Sequence, residues 1–109
     1  MARKRALNNT VTEAIVLKLL AERSMYGYEI IRLVNERTDG AFQWQEGTLY
    51  PSLHDMEQRG LLGSDWQLED GGKPRKYYTL TRAGRAALVS SVKEVQEYMA
   101  CVQALLAGA

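Results

Sequence analysis

The fold is decided by two adjacent stretches of the chain, residues 46–60 (EGTLYPSLHDMEQRG) and residues 66–80 (WQLEDGGKPRKYYTL). Apolar residues recur in the first stretch at helical intervals: Leu49, Leu53 and Met56. That spacing is typical of one face of an amphipathic helix. If Thr48 is the N-cap, Pro51 falls in the first turn, where a missing amide hydrogen breaks no helical hydrogen bond. Because Gly60 has the position of a C-terminal cap, the pattern predicts a short helix from about Thr48 to Gly60.

The second stretch has the pattern of a β-hairpin with a basic tip. Strand periodicity from Ser64 to Glu69 is followed by the turn residues Asp70-Gly71-Gly72 and by a return strand that ends at Leu80. Three cations lie at the tip and on the return strand: Lys73, Arg75 and Lys76. A short helix followed by such a ribbon is typical of a winged helix-turn-helix, which can put a helix in one DNA groove and cations on neighbouring phosphates.

Three further helices complete a predicted fold that is mainly α with one small β-hairpin. They cover residues 10–22, roughly residues 25–37, and the segment from Thr81 nearly to the end of the chain. Thr10 and Glu13 have the spacing of a capping box, and Ser24 is the expected cap of the second helix. The first helix is apolar over so much of its girth that we expect a covering partner on more than one side.

The last helix carries a heptad seam, which is the period of a left-handed helix pair. Its members are Leu88, Val92, Val95, Met99, Val102 and Leu106. A helix of this length on a small domain is not expected to bury the whole seam within one chain, so the pattern predicts a homodimer. The alternative is a core helix packed on the first helix of the same chain. We therefore divide the chain into a DNA-binding domain, residues 1–80 with a basic arm at residues 1–9, and a dimerisation helix, residues 81–109.

The formal net charge of +1 does not by itself indicate a nucleic-acid partner. The distribution of charge does, because Arg3, Lys4 and Arg5 form one basic cluster and the hairpin carries another. A local patch is the electrostatic footprint of a nucleic-acid-binding surface. No apolar run approaches the roughly 18 residues needed to span a bilayer, and the arm lacks the apolar stretch of a signal peptide. We therefore expect a cytoplasmic protein without membrane association.

Residues with catalytic or metal-binding chemistry are sparse. The chain has one histidine, His54, and one cysteine, Cys101, so no His/Cys cluster can form from its sequence. The helical pattern around Cys101 predicts a small buried residue. Asp70-Gly71-Gly72 is a hairpin turn and does not have the spacing of a phosphate-binding loop. We expect no enzyme activity, no metal and no cofactor.

At several blocks the chain resembles the PadR family of bacterial transcriptional regulators. The blocks are Tyr26-Gly27-Tyr28-Glu29-Ile30, then Gly47-Thr48-Leu49-Tyr50-Pro51 with Leu53, Met56, Glu57 and Gly60-Leu61, and finally Arg75-Lys76-Tyr77-Tyr78 with Leu80-Thr81 and Gly84. They lie in the family's order and spacing over roughly residues 10–106, which makes the combination highly specific.

The resemblance implies a homodimeric winged-helix protein that binds DNA, usually as a repressor released by a small molecule. It implies a recognition helix at Thr48–Arg59 and a wing at Lys73–Lys76. The single C-terminal helix is similar to that of the short subgroup. Some short members hold flat ligands between tryptophans of this helix, but here Val95 occupies that place, which argues against drug sensing by aromatic stacking. Whether a small hydrophobic or aromatic ligand binds stays open.

The expected partner is double-stranded DNA with an inverted-repeat operator. The candidate contact residues are Thr48, Tyr50, Ser52 and His54 on the recognition helix, Lys73, Arg75 and Lys76 on the wing, Tyr26 at the start of the second helix, and Arg3, Lys4 and Arg5 in the arm. Tyr50 and His54 have alternatives, as a packing aromatic and as a merely exposed polar residue, and either Arg75 or Lys76 could face away on its strand. Two rival functions also remain: a protein-interaction module, favoured by the acids Asp55 and Glu57, and a ligand sensor with secondary DNA binding.

Overall fold

The computed structural model describes residues 7–108 of the chain. Its elements are α1 (Leu7–Glu22), β1 (Met25–Tyr26), α2 (Gly27–Arg37), α3 (Glu46–Gln58), β2 (Leu62–Leu68), β3 (Pro74–Leu80) and α4 (Arg82–Ala107). The three strands form an antiparallel sheet in the order β1-β3-β2. The predicted winged helix with a long C-terminal helix is confirmed. The sequence analysis missed β1, because two residues are too short to show strand periodicity.

One apolar core joins the helices to the sheet. Its most deeply buried side chains are Val16, Leu17, Met25, Ile30, Leu49, Leu53 and Met56. Each leucine or isoleucine among them contributes about 1.5–3 kcal/mol by leaving water. The stripe predicted on the third helix is therefore confirmed, and it fixes which face of α3 is left for other contacts.

The predicted start of α3 is wrong by two residues. The amides of Thr48 and Leu49 both donate to the carbonyl of Gln45, each at 3.0 Å, so the chain is already helical when it reaches Thr48. Gln45 is the N-cap, and Pro51 consequently lies inside the helix and not in its first turn. The carbonyl left without an amide partner belongs to Gly47, an exposed residue that water can reach.

The C-terminus of α3 ends as the sequence predicted. Gly60 has a φ of 80°, in the left-handed region that favours glycine. The amide of Gly60 donates to Glu57 at 3.0 Å and the amide of Leu61 donates to Met56 at 2.9 Å. This pair of bonds is a Schellman motif, which turns the chain sharply from α3 toward the wing.

The predicted starts of the first two helices are also wrong. α1 begins at Leu7, so Thr10 and Glu13 lie inside the helix and form no capping box. Both are buried, and Glu13 forms an ion pair with Arg59 on α3. α2 begins at Gly27 after the extended residue Tyr26, so Ser24 is not its cap. Pairing of β1 with β3 decides this start, because it holds Tyr26 extended beside Tyr77.

The wing is the predicted hairpin, with strands that begin earlier than the alternation indicated. β2 and β3 pair in a register that places Trp66 opposite Lys76 and Ser64 opposite Tyr78. Gly71 and Gly72 have φ values of 91° and 78°, which the turn between the strands requires. Tyr78 packs against the core, whereas Trp66 is 64% exposed.

The long helix α4 starts at the predicted cap and packs along α1. The Thr81 hydroxyl accepts from the amide of Gly84 at 3.0 Å. A Cβ atom on Gly84 would lie 2.1 Å from the carbonyl oxygen of Leu61, so this contact requires glycine. Cys101 is exposed, and the expectation of a buried cysteine was wrong for the described chain. None of the described helices is long and apolar enough to cross a membrane.

Candidate nucleic-acid interface

A cleft of about 420 Å³ lies between the start of α2, the start of α3 and the wing. Its aromatic walls are Tyr26, Tyr28, Tyr50, Trp66 and Tyr78, and its cations are Lys73, Arg75 and Lys76. The fold therefore brings together five of the predicted contact residues: Tyr26 on β1, Tyr50 on α3, and Lys73, Arg75 and Lys76 on the wing. Flat aromatic faces and positive charges at one opening suit the sugar–phosphate edge of a nucleic acid.

The remaining candidates lie on the flanks of α3, with Thr48 and Ser52 on one side of the buried stripe and His54, like Tyr50, on the other. Thr48, Tyr50 and His54 are exposed, and Ser52 is half-buried. These residues are short or planar polar groups of the kind that reach base edges and phosphates. Their positions follow from the buried stripe, since the residues between its members point elsewhere on a helix.

Tyr50 is held in place at the mouth of the cleft. Its ring lies over Gly27, where a Cβ atom would come within 2.4 Å of the ring. Its hydroxyl donates to the Glu46 carboxylate at 3.2 Å. Partial burial, and secondly this hydrogen bond, raise the pKa of the Tyr50 hydroxyl. Tyr50 is thus both a packing residue and a surface residue with 43% exposure, so the two roles considered from sequence do not exclude each other.

Arg75 is held on the outer face of the sheet. Its guanidinium carbon lies 4.3 Å from the centre of the Tyr26 ring, and its Nε lies 3.5 Å from Glu69. Tyr77 donates to the same Glu69 carboxylate at 2.8 Å, and this bond raises the pKa of the Tyr77 hydroxyl. The Arg75 Nε is buried and makes no hydrogen bond. A cation–π contact and an ion pair therefore already engage Arg75 in the unbound chain.

Lys76 points the opposite way, toward α3. Its ammonium donates to Glu57 at 3.0 Å and lies 5.3 Å from the centre of the Tyr78 ring. The hydrogen bond with Glu57 raises the pKa of Lys76. Ser64 also donates to Glu57, and these two bonds lower the pKa of the Glu57 carboxyl, with Ser64 the larger cause. From the sequence, either Arg75 or Lys76 could face away on the strand. In the structure Lys76 points toward α3, whereas Arg75 lies on the outer face of the sheet. Lys73, at the tip, is exposed.

The acids of α3 have partners within the chain. Asp55 accepts from Arg59 at 2.9 Å, one helical turn away, and Glu57 accepts from the wing. The first pairing was readable from the spacing of four residues, which brings two side chains together on a helix. The second was not, because it joins residues 19 apart along the chain and depends on the hairpin register.

The predicted basic arm contains Arg3, Lys4 and Arg5, and these residues lie outside the described part of the chain. Within residues 7–108 no group of His, Cys, Asp and Glu side chains is arranged to hold a metal ion.

The fold and the cleft define a winged helix-turn-helix protein. Residues 16–90 match the family described as the transcriptional regulator PadR-like family. The chain belongs to this family, and the resemblance drawn from its motifs is confirmed. The family consists of transcriptional regulators, a class distinct from enzymes. A similar curated protein is an uncharacterized protein of Lysinibacillus sphaericus, 36% identical over 97 residues, which are 88% of each chain.

Solved structures show the same fold. A PadR family transcription regulator from hypervirulent Clostridium difficile R20291 is 32% identical, with a TM-score of 0.72 over 89% of this chain and 98% of the other. PadR of Bacillus subtilis, solved in complex with operator DNA, is 23% identical, with a TM-score of 0.69 over 75% of this chain and 46% of that chain. At that identity the second likeness concerns the fold alone.

Proposed function

We propose that this chain binds operator DNA sequence-specifically as a homodimer and represses transcription from an inverted-repeat site. The observation that carries the proposal is the cleft, in which Tyr50 of α3 lines the same opening as Lys73 of the wing tip. Membership of a family of transcriptional regulators supports it. So does the related PadR structure, which was solved with operator DNA.

In this proposal α3 enters the major groove and the wing follows the adjacent backbone. Thr48, Tyr50, Ser52 and His54 contact base edges or phosphates, while Lys73 binds a phosphate. Tyr26 adds a backbone contact, and Arg75 joins it if Glu69 releases the guanidinium. The arm residues Arg3, Lys4 and Arg5 would extend the phosphate contacts. Such a protein acts in the cytoplasm, on chromosomal DNA.

The dimer is proposed to form through α4, which makes up most of the predicted dimerisation segment at residues 81–109. Met99 is 52% exposed and Leu106 is 82% exposed, although both belong to the heptad seam. The other seam residues, Leu88, Val92, Val95 and Val102, are half-buried. A second chain that covers this seam would place two copies of α3 in successive major grooves, about 34 Å apart along the duplex.

Release by a small molecule is the final part of the proposal. A hollow of about 470 Å³ lies between α1, the end of α2 and α4, with Ile15, Phe42 and Val95 in its mostly apolar wall. A small hydrophobic or aromatic ligand there would relieve repression only if it preferred one separation of the two recognition helices over the other.

The test is fluorescence anisotropy with a labelled duplex taken from upstream of the chain's own gene, and a scrambled duplex of equal length as competitor. We expect the first duplex to bind at least about a hundredfold more tightly, within the usual range of specific over non-specific binding. Lys73→Ala should lower the log–log salt slope by about 0.9, whereas Lys93→Ala on α4 should leave it unchanged. Equal affinity for both duplexes would contradict sequence-specific binding.

The rival interaction module loses part of its support. It depended on Asp55 and Glu57 as free acids that would repel phosphate, and both carboxylates are paired with cations of the chain. The pair of Glu57 with Lys76 is close to neutral, whereas Asp55 shares the Arg59 guanidinium with Glu13.

A further inference from the structure

Glu57 joins the recognition helix to both strands of the wing through a single carboxylate. Its Oε2 accepts from the hydroxyl of Ser64 on β2, and its Oε1 accepts from the ammonium of Lys76 on β3 at 3.0 Å. Glu57 itself lies in the last turns of α3. The carboxylate is the polar link between the end of the helix and the middle of the hairpin.

The link is held in a defined geometry. The side chains of Lys76 and Glu57 are 30% and 27% exposed, so solvent screens them less than a surface pair. Lys76 also lies over the ring of Tyr78, and Tyr78 packs against the core. The Lys76 ammonium is therefore held by Glu57 of α3 and by Tyr78 of its own strand.

The direction of Lys76 conflicts with a role as a phosphate ligand. Along β3 successive side chains point to opposite faces, so Lys76 shares its face with Tyr78 and with Trp66 across the hairpin. That face turns toward α3, whereas Lys73 at the tip has no such constraint and is exposed.

We propose that Glu57, with Ser64 and Lys76, is a positioning cluster that sets the distance and angle between the recognition helix and the wing. The inference rests on the proposed function, since that distance matters when both elements bind the same DNA. A hairpin attached only through its strand ends would lose orientational freedom on binding. Fixing it beforehand removes that cost and so raises affinity.

Glu57→Gln in the full chain tests the proposal, because it removes the charge and keeps the shape. We expect operator affinity to fall by about tenfold with an unchanged salt slope, although the variant carries one negative charge fewer. Asp55→Asn is the matched control: it removes the same charge from the same helix but leaves the wing untouched, and it should not weaken binding. If Glu57→Gln binds equally well or more tightly, the positioning role is wrong. If that variant also had a steeper salt slope, Lys76 would be a phosphate ligand that its ion pair with Glu57 keeps from the DNA.

Hydrogen exchange of the unbound protein separates this inference from DNA binding. Glu57→Gln should speed amide exchange in residues 62–80 and leave α2 unchanged, whereas Asp55→Asn should leave both unchanged. The exchanged pair Glu57→Lys with Lys76→Glu should restore both slow exchange and affinity, which a loss of fold would not allow. If the wild type binds no operator, the proposed function fails while the exchange result still stands. If exchange in the wing does not respond to Glu57→Gln, the positioning cluster is wrong even where DNA binds.

Discussion

The surface around α3 and the wing differs from the surface of α4 in whether its side chains have partners within the chain. Around α3 and the wing, carboxylates have cationic partners in the same chain, as Glu57 has Lys76 and Glu69 has Arg75. Toward the end of α4, large apolar side chains face solvent, and Leu105 and Leu106 are 81% and 82% exposed. The charged groups around the wing are thus paired within one chain. The exposed apolar surface of α4 is the surface that the proposed homodimer would cover.

The largest effect is expected at the junction of the two regions. Gly84→Ala would force a methyl group against the Leu61 carbonyl, so the start of α4 must shift away from the end of α3. We expect the free energy of unfolding to fall by about 3 kcal/mol, measured by urea denaturation. Gly47→Ala is the control, since a Cβ atom there meets nothing within 4 Å and should change stability by less than about 1 kcal/mol. Similar losses for both variants would show that the close approach at Gly84 is unimportant.

The second-largest effect is expected from charges placed on the exposed apolar surface of α4. Met99→Glu combined with Leu106→Glu places charges on seam residues that are exposed in one chain, so the fold should persist while association is lost. Light scattering should give the mass of one chain, 12.3 kDa, in place of twice that mass. Operator affinity should fall by about a hundredfold, because each half-site would bind separately. Lys93→Glu, also exposed on α4, should leave the dimer intact. A double variant that still forms a dimer would place the interface elsewhere.

A smaller loss is expected where α3 meets α1. Arg59 pairs with the buried carboxylate of Glu13, whose side chain is only 9% exposed. Arg59→Gln removes this ion pair from the buried carboxylate and should reduce the free energy of unfolding by about 1–3 kcal/mol in a thermal or urea melt. Arg32→Gln removes the exposed pair with Glu36 at 3.8 Å and should cost less than about 0.5 kcal/mol. Equal effects would mean that Glu13 does not depend on Arg59.

The smallest expected effect is the pH dependence of the wing attachment. Hydrogen bonds from Ser64 and Lys76 lower the folded-state pKa of Glu57 below its ordinary value of 4.5. The stabilisation is therefore fully present above pH 4.5 and is lost as the pH falls through the lower, folded-state pKa. Exchange of the wing amides, corrected for the intrinsic pH effect, should accelerate in that acidic range. Glu57→Gln should remove this acceleration, and a wild type without it would contradict the assigned cause.

The sequence predicted those features that neighbouring residues decide. The buried stripe of α3, the left-handed Gly60, the hairpin turn and the Thr81 cap all depend on a few adjacent positions. The predicted cap at Ser24 failed because a tertiary contact moves the helix start, since Tyr26 is extended by pairing with β3. The predicted cap at Thr48 failed because the helix already begins after Gln45, whose carbonyl accepts from the amides of Thr48 and Leu49.

Parts of the candidate site were not predictable for the same reason. The partner of Glu57 is set by the strand register, which places Lys76 opposite Trp66. Residue type and spacing placed Lys73, Arg75 and Lys76 on one hairpin. Only the fold shows that Lys73 lies exposed at the tip, that Arg75 lies on the outer face of the sheet and that Lys76 points toward α3.

Native mass spectrometry of the protein with its upstream duplex tests the central claim most directly, because it counts the chains on one operator. The account predicts a complex of two chains per duplex with an inverted repeat. It also predicts no two-chain complex of this mass in preference to one-chain complexes for the Met99→Glu, Leu106→Glu variant at the same concentration. A complex of one chain per duplex, formed equally by the wild type and the variant, would contradict it.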